Sequence, residues 1–358
     1  MLKGRLHDVA VAAGCVGFGV ARVDPFADVR AVMEGRKASG LAADLAFTYR
    51  DPPVATDIRR SFPWAARLIA LAWAYEPGAG AGVTVPGRTR IGRFADGDQY
   101  ADLRAAADAV AEVLHAEGHR GEVLIDDSRL VDRAVAVRAG VAWWGKSTMV
   151  LVPGPGPWVL LGSVVTDALL GEDGPMDRTC GTCTACIPAC PTGAILPDGS
   201  LDARRCLAHW LQHAGIVPFE LRRVIGDRLY GCDDCLTSCP PGRRAYGRAH
   251  PQPGPAIVDV LGSTDADLLA RYGHFYLPGR RPRIVKRNAL IAAGNDGSPD
   301  LVPFVAAYLG HADWMLRAHA AWAAGEFAAG GLDAALGLAL SEERDGRVRR
   351  EIRLAMSR

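Results

Sequence analysis

Over the first 175 residues, apolar positions switch between two periods. Leu6 to Ala13 has helical spacing and stops at Gly14, and Phe18 to Val23 then reads as a strand ended by Asp24-Pro25. Leu68-Ile69-Ala70-Leu71-Ala72-Trp73 is a continuous apolar run between Pro63 and Pro77, the pattern of a buried strand. Tyr100 to Leu114 returns to helical spacing. Val123-Leu124-Ile125, Met149 to Val152 and Trp158 to Val165 complete the expected strands. The economical expectation is an α/β or α+β domain built on one sheet.

The last third repeats. Val285-Lys286-Arg287-Asn288-Ala289-Leu290 recurs as Leu316-Arg317-Ala318-His319-Ala320-Ala321, and more weakly as Val348-Arg349-Arg350-Glu351-Ile352. Arg287, Arg317 and Arg349 are about 30 residues apart, and Asp313 and Asp345 each precede their arginine by four. Paired helices with a recurrent Asp and Arg predict HEAT-like repeats, each unit burying its apolar face against its neighbours. The competing reading is an irregular helical tail.

Composition narrows the partners. The chain has 358 residues, 49% hydrophobic, with a net charge of +1, so a polyanion site must be a local patch. No apolar stretch reaches the roughly 18 residues of a membrane span, and Met-Leu-Lys-Gly-Arg-Leu-His-Asp has no apolar signal core. The expectation is a soluble, cytoplasmic chain without a membrane partner.

Eight of the nine cysteines lie between Cys180 and Cys239; Cys15 stands apart. Cys180, Cys183, Cys186 and Cys190-Pro191 have the C-x2-C-x2-C-x3-C-P spacing of bacterial two-cluster ferredoxins. Cys206 follows alone, then Cys232, Cys235 and Cys239-Pro240. Disulfides would need an oxidising compartment. Structural zinc would leave Cys190, Cys206 and Cys239 unexplained, and buried free thiols would not be so regularly spaced. Two 4Fe–4S clusters use all eight. With the fourth cysteine of each run crossing over, one cluster takes Cys180, Cys183, Cys186 and Cys239, the other Cys190, Cys206, Cys232 and Cys235.

Four further stretches accompany the cysteines. They are Asp57 to Ala65; Asp126 to Lys146, ending in Ala139-Gly140-Val141-Ala142-Trp143-Trp144-Gly145-Lys146; Tyr230-Gly231-Cys232-Asp233-Asp234-Cys235; and Lys286 to Leu290 with Gly294-Asn295. In that order, over nearly the whole chain, the sequence resembles the epoxyqueuosine reductase family, cobalamin-dependent iron–sulfur enzymes of the last step of queuosine synthesis in tRNA. It departs from the family's usual residues at Ala55, Gln99, Ala101, Asp127-Ser128-Arg129 and Ala208.

The resemblance implies an α+β chain of three parts. These are an N-terminal α/β cobalamin-binding domain over residues 1–175, a ferredoxin-like double 4Fe–4S module over 176–250, and a linker with α-helical HEAT-like repeats over 251–358. It implies a monomeric reductase that turns epoxyqueuosine into queuosine at the wobble position of tRNA, fed by a low-potential electron donor. The alternatives are a reductive dehalogenase-like reductase of another substrate and a non-catalytic electron-transfer protein. No D-x-H-x-x-G motif occurs, so a histidine-ligated corrinoid is not expected.

The same resemblance puts Asp126, after the strand Val123-Leu124-Ile125, at the family's catalytic aspartate, as proton donor to the departing epoxide oxygen; the competing reading is a helix cap. Asp127, one residue along a continuing strand, would face the opposite side. Gly145-Lys146-Ser147-Thr148 has the composition of a phosphate-contacting turn, or of a plain surface turn. Asp126, Lys146, Ser147 and Asp233 are the expected cofactor contacts. Two basic runs, Arg243-Arg244 with Arg248, and Arg280, Arg281, Arg283, Lys286 and Arg287, are candidates for binding the tRNA anticodon stem–loop, against the ordinary reading of solvated helix faces. His209, His213, His311 and His319 have no ligand spacing and read as structural. Trp143 and Trp144 read as core, with an aromatic cleft wall as the alternative.

Overall fold

The computed structural model describes residues 1–75, 84–246, 253–327 and 332–357. Arg248 and the boundary expected at residue 250 lie outside them. The strands are β1 (Gly17–Arg22), β2 (Arg67–Ala74), β3 (Arg90–Ile91), β4 (Gly121–Leu124), β5 (Trp143–Trp144), β6 (Val150–Leu151), β7 (Val159–Thr166) and β8 (Arg228–Tyr230).

Four of them form the main sheet, in the order β1-β2-β7-β4. Every pairing in it is antiparallel, which makes the first domain α+β rather than a parallel α/β layer. The continuous run in β2 arises because both faces are covered: Leu68, Ile69, Leu71 and Ala72 have no exposed surface. Full burial of each such leucine or isoleucine contributes roughly 1.5–3 kcal/mol. The helix Gln99–Ala116 packs along β7 and β4, burying Leu103, Ala106, Ala107, Val110 and Leu114. The helix Asp132–Arg138 buries Ala134, Val135 and Ala136 in one core with Leu68, Ala70, Ala72 and Val165. Gly140 ends the turn after it at φ +66°, where a Cβ would stand 2.3 Å from the Gly174 carbonyl oxygen.

The chain folds into two compact units, which interleave in sequence rather than following three consecutive segments. The first comprises Met1–Glu76, Asp98–Arg205 and Asp234–Arg248; the second comprises Pro77–Gly97, Cys206–Asp233 and Ala249–Arg358. The cysteine-rich segment is therefore divided between them.

In the second unit β3 pairs with β8 in parallel, and the remainder is helical. Helices Arg283–Asp296, Trp314–Ala324 and Gly346–Met356 stack in succession, backed by Val302–Leu309 and Asp333–Glu342. The recurrent residues have a structural cause. Asp313 caps its helix by accepting from Met315 N at 2.8 Å, and Asp345 does the same for Arg347 N at 2.9 Å. Arg317 then donates to His311 O at 2.8 Å, and Arg349 to Leu340 O at 2.9 Å and Glu343 O at 2.8 Å. The second and third copies thus each use one Asp to start the helix and one Arg to satisfy the carbonyls of the turn before it; the first starts after Pro282 without a side-chain cap.

Candidate functional site

Strand β4 stops at Leu124, and Ile125 is buried. Asp126 then takes a left-handed φ of +49°. An aspartate tolerates this better than most residues, and such positions gather at functional sites. The turn carries Asp126 into a cavity of about 440 Å³ within the first unit, with Asp127 and Asp132 in the same wall. Asp126 and Asp127 therefore do not alternate across a strand. They differ in partners instead.

Asp127 is held by Arg129, whose Nη2 donates to Oδ2 at 2.6 Å and whose backbone N donates to Oδ1 at 2.8 Å. The Arg129 bonds lower the Asp127 pKa. Burial raises that of Asp126, with Arg133 opposing and the Asp127 charge reinforcing the shift. Asp132, the first residue of its helix, is pushed up to about 8, mainly by burial. Asp132 is half-buried and lines the cavity. Its carboxyl accepts from Ser163 Oγ on β7 at 3.2 Å. The nearby Arg133 directs Nη1 to Thr148 O at 3.1 Å, and Thr148 is itself left-handed at φ +64°.

The rim of the cavity is apolar. Trp144 is 43% exposed, Phe47 41% and Val32 50%, and all three line the opening. Exposed apolar side chains gathered at a cavity mouth mark the seat of an occupant. Trp144 is thus the aromatic wall beside Asp126, whereas Trp143 is core. Ala55, one of the departures, also lines the cavity.

The other expected cofactor contacts lie elsewhere. Lys146 donates to Gly181 O at 2.7 Å, between Cys180 and Cys183, and Ser147 is buried; Gly145 and Thr148 from that turn face the cavity instead. Asp233, in the second unit, accepts from Arg93 N at 2.8 Å. Asp132 was not among the expected site residues; the signal that could have marked it is an acid opening a helix whose third to sixth residues, Ala134 to Val137, are all apolar.

The first cysteine set is gathered. The Cys186 thiol is raised by burial and by the charges of Cys180, Cys239 and Cys183, and that of Cys239 by burial and by Cys180 and Cys183. The short helices Cys186–Ala189 and Asp234–Thr237 pack together, bringing Cys239 to residues more than 50 positions earlier. Among the described residues no group of His, Cys, Asp and Glu closes round a single metal ion; thiolates around a four-iron cube stand farther apart than that. In the second set, burial would raise Cys190, but hydrogen bonds from Thr192 and from the backbone of Ile195, Thr192 and Ala194 outweigh it and lower its pKa.

The basic residues divide. Arg243, Arg244, Arg280 and Arg281 are exposed. Arg287 has no exposed surface; it donates to Gly215 O at 2.8 Å, Trp210 O at 2.7 Å and the His213 carbonyl. Lys286 is 8% exposed and pairs with Asp265 at 2.5 Å, while half-buried Arg283 bonds Ala214 O at 2.9 Å and Asp313 at 3.3 Å. Arg287, Lys286 and Arg283 are withdrawn from the expected phosphate contacts: their charges are spent inside the fold. His319 is structural as expected, buried with Nε2 accepting from Val217 N at 3.2 Å.

Comparison with known proteins gives these features a family. Residues 179–242 match the 4Fe-4S double cluster binding domain and residues 279–357 match HEAT repeats. A double-cluster module joined to helical repeats, with an acid-lined cavity in the same chain, defines the class as an iron–sulfur protein. The epoxyqueuosine reductase of Bacillus subtilis is 30% identical over 368 residues, covering 98% of this chain and 94% of that protein. The chain belongs to the epoxyqueuosine reductase family. The Bacillus anthracis enzyme of that name is 34% identical, but over 237 residues that span 62% of its length. A crystal structure of epoxyqueuosine reductase with an epoxyqueuosine-modified tRNA-Tyr stem loop superposes with a TM-score of 0.91 at 28% identity, covering 99% of this chain and 98% of that one. Among the described residues no helix is long and apolar enough to cross a membrane.

Proposed function

We propose that this chain reduces epoxyqueuosine to queuosine at the wobble position of tRNA. Electrons from a low-potential donor would pass through two 4Fe–4S clusters, on Cys180, Cys183, Cys186 and Cys239 and on Cys190, Cys206, Cys232 and Cys235, to cobalamin. The carrying observation is the contrast inside the cavity: Asp126 is raised by burial while its neighbour Asp127 is lowered by Arg129.

Cobalamin suits the residues present. The apolar rim of Trp144, Phe47 and Val32 offers a seat for a flat, largely apolar ring, and no histidine lines the cavity, in keeping with a corrinoid without a histidine ligand. When bound, the group supplies one-electron cobalt chemistry at the substrate carbon. The chain supplies the rest. Once occupied, the rim would exclude water, and Asp126, whose proton is held more firmly through desolvation, would give that proton to the departing epoxide oxygen. Arg129 keeps Asp127 ionised. Exposed Arg280 and Arg281, with Arg243 and Arg244, remain as phosphate contacts for the anticodon stem–loop.

The test is anaerobic reconstitution with cobalamin and an epoxyqueuosine-modified anticodon stem–loop, followed by mass spectrometry of the nucleoside. Loss of one oxygen from the nucleoside is expected; an unchanged nucleoside with both clusters and corrinoid in place overturns the reading. Cluster membership has its own test. Cys239→Ala should abolish the cluster of Cys180, Cys183 and Cys186, and EPR showing loss confined to the other cluster would reverse the assignment.

A further inference from the structure

Opening an epoxide to an alkene breaks two C–O bonds and releases the oxygen as water, consuming two electrons and two protons. One-electron reductants acting through the thiolate-bound clusters can supply the electrons. Asp126 accounts for one proton. The cavity wall contains a second carboxyl, and the reaction as derived above gives it no task.

Asp132 opens the helix Asp132–Arg138 and faces the same cavity as Asp126. Its surroundings disfavour a charge. Strands β1 and β2 contribute Ala21, Leu68, Ala70 and Ala72 to the core in which this helix sits. From β7 comes the neutral hydroxyl of Ser163. The segment after β4 brings two further acids, Asp126 and Asp127, whose charges push the Asp132 proton on more firmly. Against this, the charge of Arg133 favours the ionised form, though its Nη1 bonds Thr148 O; Arg129 is bonded to Asp127, and Arg36 lines the same cavity. A desolvated carboxyl beside other acids, on a helix set in an apolar core, keeps its proton where these cations do not outweigh its burial.

We infer that Asp132 is the second proton store of the site, returning a proton to Asp126 after Asp126 has protonated the departing oxygen. The inference rests on the epoxide-reduction reading of the cavity. In the first transfer, the Asp126 proton goes to the epoxide oxygen as the first C–O bond breaks, leaving a hydroxyl. Asp132 then passes its proton to the Asp126 carboxylate. In the second transfer, Asp126 protonates that hydroxyl, the second C–O bond breaks and water leaves. Both acids recover protons from solvent after the water leaves. Asp132 acts through Asp126 and never touches the substrate, so it is a positioning residue.

The relay has a pH signature. The Asp132 carboxyl holds its proton up to about pH 8, so single-turnover reduction by pre-reduced holoenzyme should fall as pH rises through that value. In Asp132→Asn the limb should disappear. The rate near neutral pH should drop by roughly ten- to a hundredfold, less than the loss of a direct acid. Ser163→Ala, which removes a bond that favours the ionised form, should move the limb upward while leaving the acid in place. An activity-independent readout is the infrared carbonyl band of a protonated carboxyl at neutral pH, read in the Asp126→Asn background so that Asp126 does not contribute: present in Asp126→Asn, lost when Asp132→Asn is added, retained when Asp132→Glu is added instead. A band that survives in the double variant Asp126→Asn with Asp132→Asn, or an alkaline limb unmoved in both Asp132→Asn and Ser163→Ala, overturns the inference. If wild type fails to reduce the modified stem–loop, the activity reading falls, and the infrared comparison still decides whether Asp132 stores a proton.

Discussion

Two stretches of eight residues, Asp126 to Arg133 and Arg280 to Arg287, each carry five charged side chains, and the fold uses them in opposite proportions. In the first, Asp127 with Arg129 and Arg133 with Thr148 O are spent on local structure, while Asp126 and Asp132 face a cavity with no cation bonded to them. In the second, Arg283, Lys286 and Arg287 are spent, and Arg280 and Arg281 precede the helix and face solvent. The difference follows from periodicity: Arg283, Lys286 and Arg287 are spaced i, i+3 and i+4 on a helix packed by others, so the run points inward. A charge becomes available for function where its local partners run out, and charge density along the sequence does not report that.

The sharpest way to break this contrast is at the neighbouring acids. Asp126→Asn keeps the shape but cannot give up a proton, so reduction in single turnover should fall by about a hundred- to ten-thousandfold. Cluster content and corrinoid binding should be unchanged. Asp127→Asn removes the same formal charge but only loosens the Arg129 bonds, and should cost far less. An inactive Asp127→Asn beside a nearly normal Asp126→Asn would mean that the acid paired with Arg129, and not Asp126, is the donor.

The sequence already indicated most of this arrangement, unevenly. The strands Leu68–Trp73 and Trp158–Val165 and the helix Tyr100–Leu114 were legible because their apolar runs are long and bounded, and they appear as β2, β7 and Gln99–Ala116. Antiparallel pairing was not legible, since burial on both faces removes the alternation that separates the two sheet types. The Asp and Arg repeat was visible as a pattern because two copies perform the same capping and carbonyl-bonding task, while Arg287 keeps only the bonding to carbonyls. The division of Lys146 from the cavity was hidden: its Gly181 partner lies 35 residues away, and only tertiary contact shows that the side chain is occupied. Asp132 was hidden for the related reason that desolvation is a property of surroundings.

Arg287→Met tests the spent side of the comparison. The substitution fits the space but leaves the carbonyls of Trp210, His213 and Gly215 without their donor. An unsatisfied buried acceptor costs about 1–3 kcal/mol, so a loss of at least about 3 kcal/mol is expected for three of them. Chemical denaturation of the second unit should show an earlier midpoint, while the affinity of the folded fraction for the stem–loop stays the same. Equal stability with weakened RNA binding would return Arg287 to the phosphate contacts.

The smallest expected effect probes the exposed end of the same run. Arg280→Ala combined with Arg281→Ala removes two exposed cations that make no ion pair among the described residues, so folding stability should stay within about 0.5 kcal/mol. If both arginines contact phosphates of an anticodon loop, two fewer counterions are released on binding. The slope of log affinity against log salt should then become shallower by about 1.4 for single-stranded contacts. Fluorescence anisotropy of a labelled stem–loop across a salt series reads this directly. The slope is more informative than affinity at one salt concentration, because a local unfolding would weaken binding without removing a fixed number of counterions. An unchanged slope would assign Arg280 and Arg281 to ordinary solvated surface and leave Arg243 and Arg244 as the remaining exposed candidates. A slope change with reduced stability would instead mean that Arg280 and Arg281 also serve the fold, and that the boundary between spent and available charge lies before the helix start at Arg283.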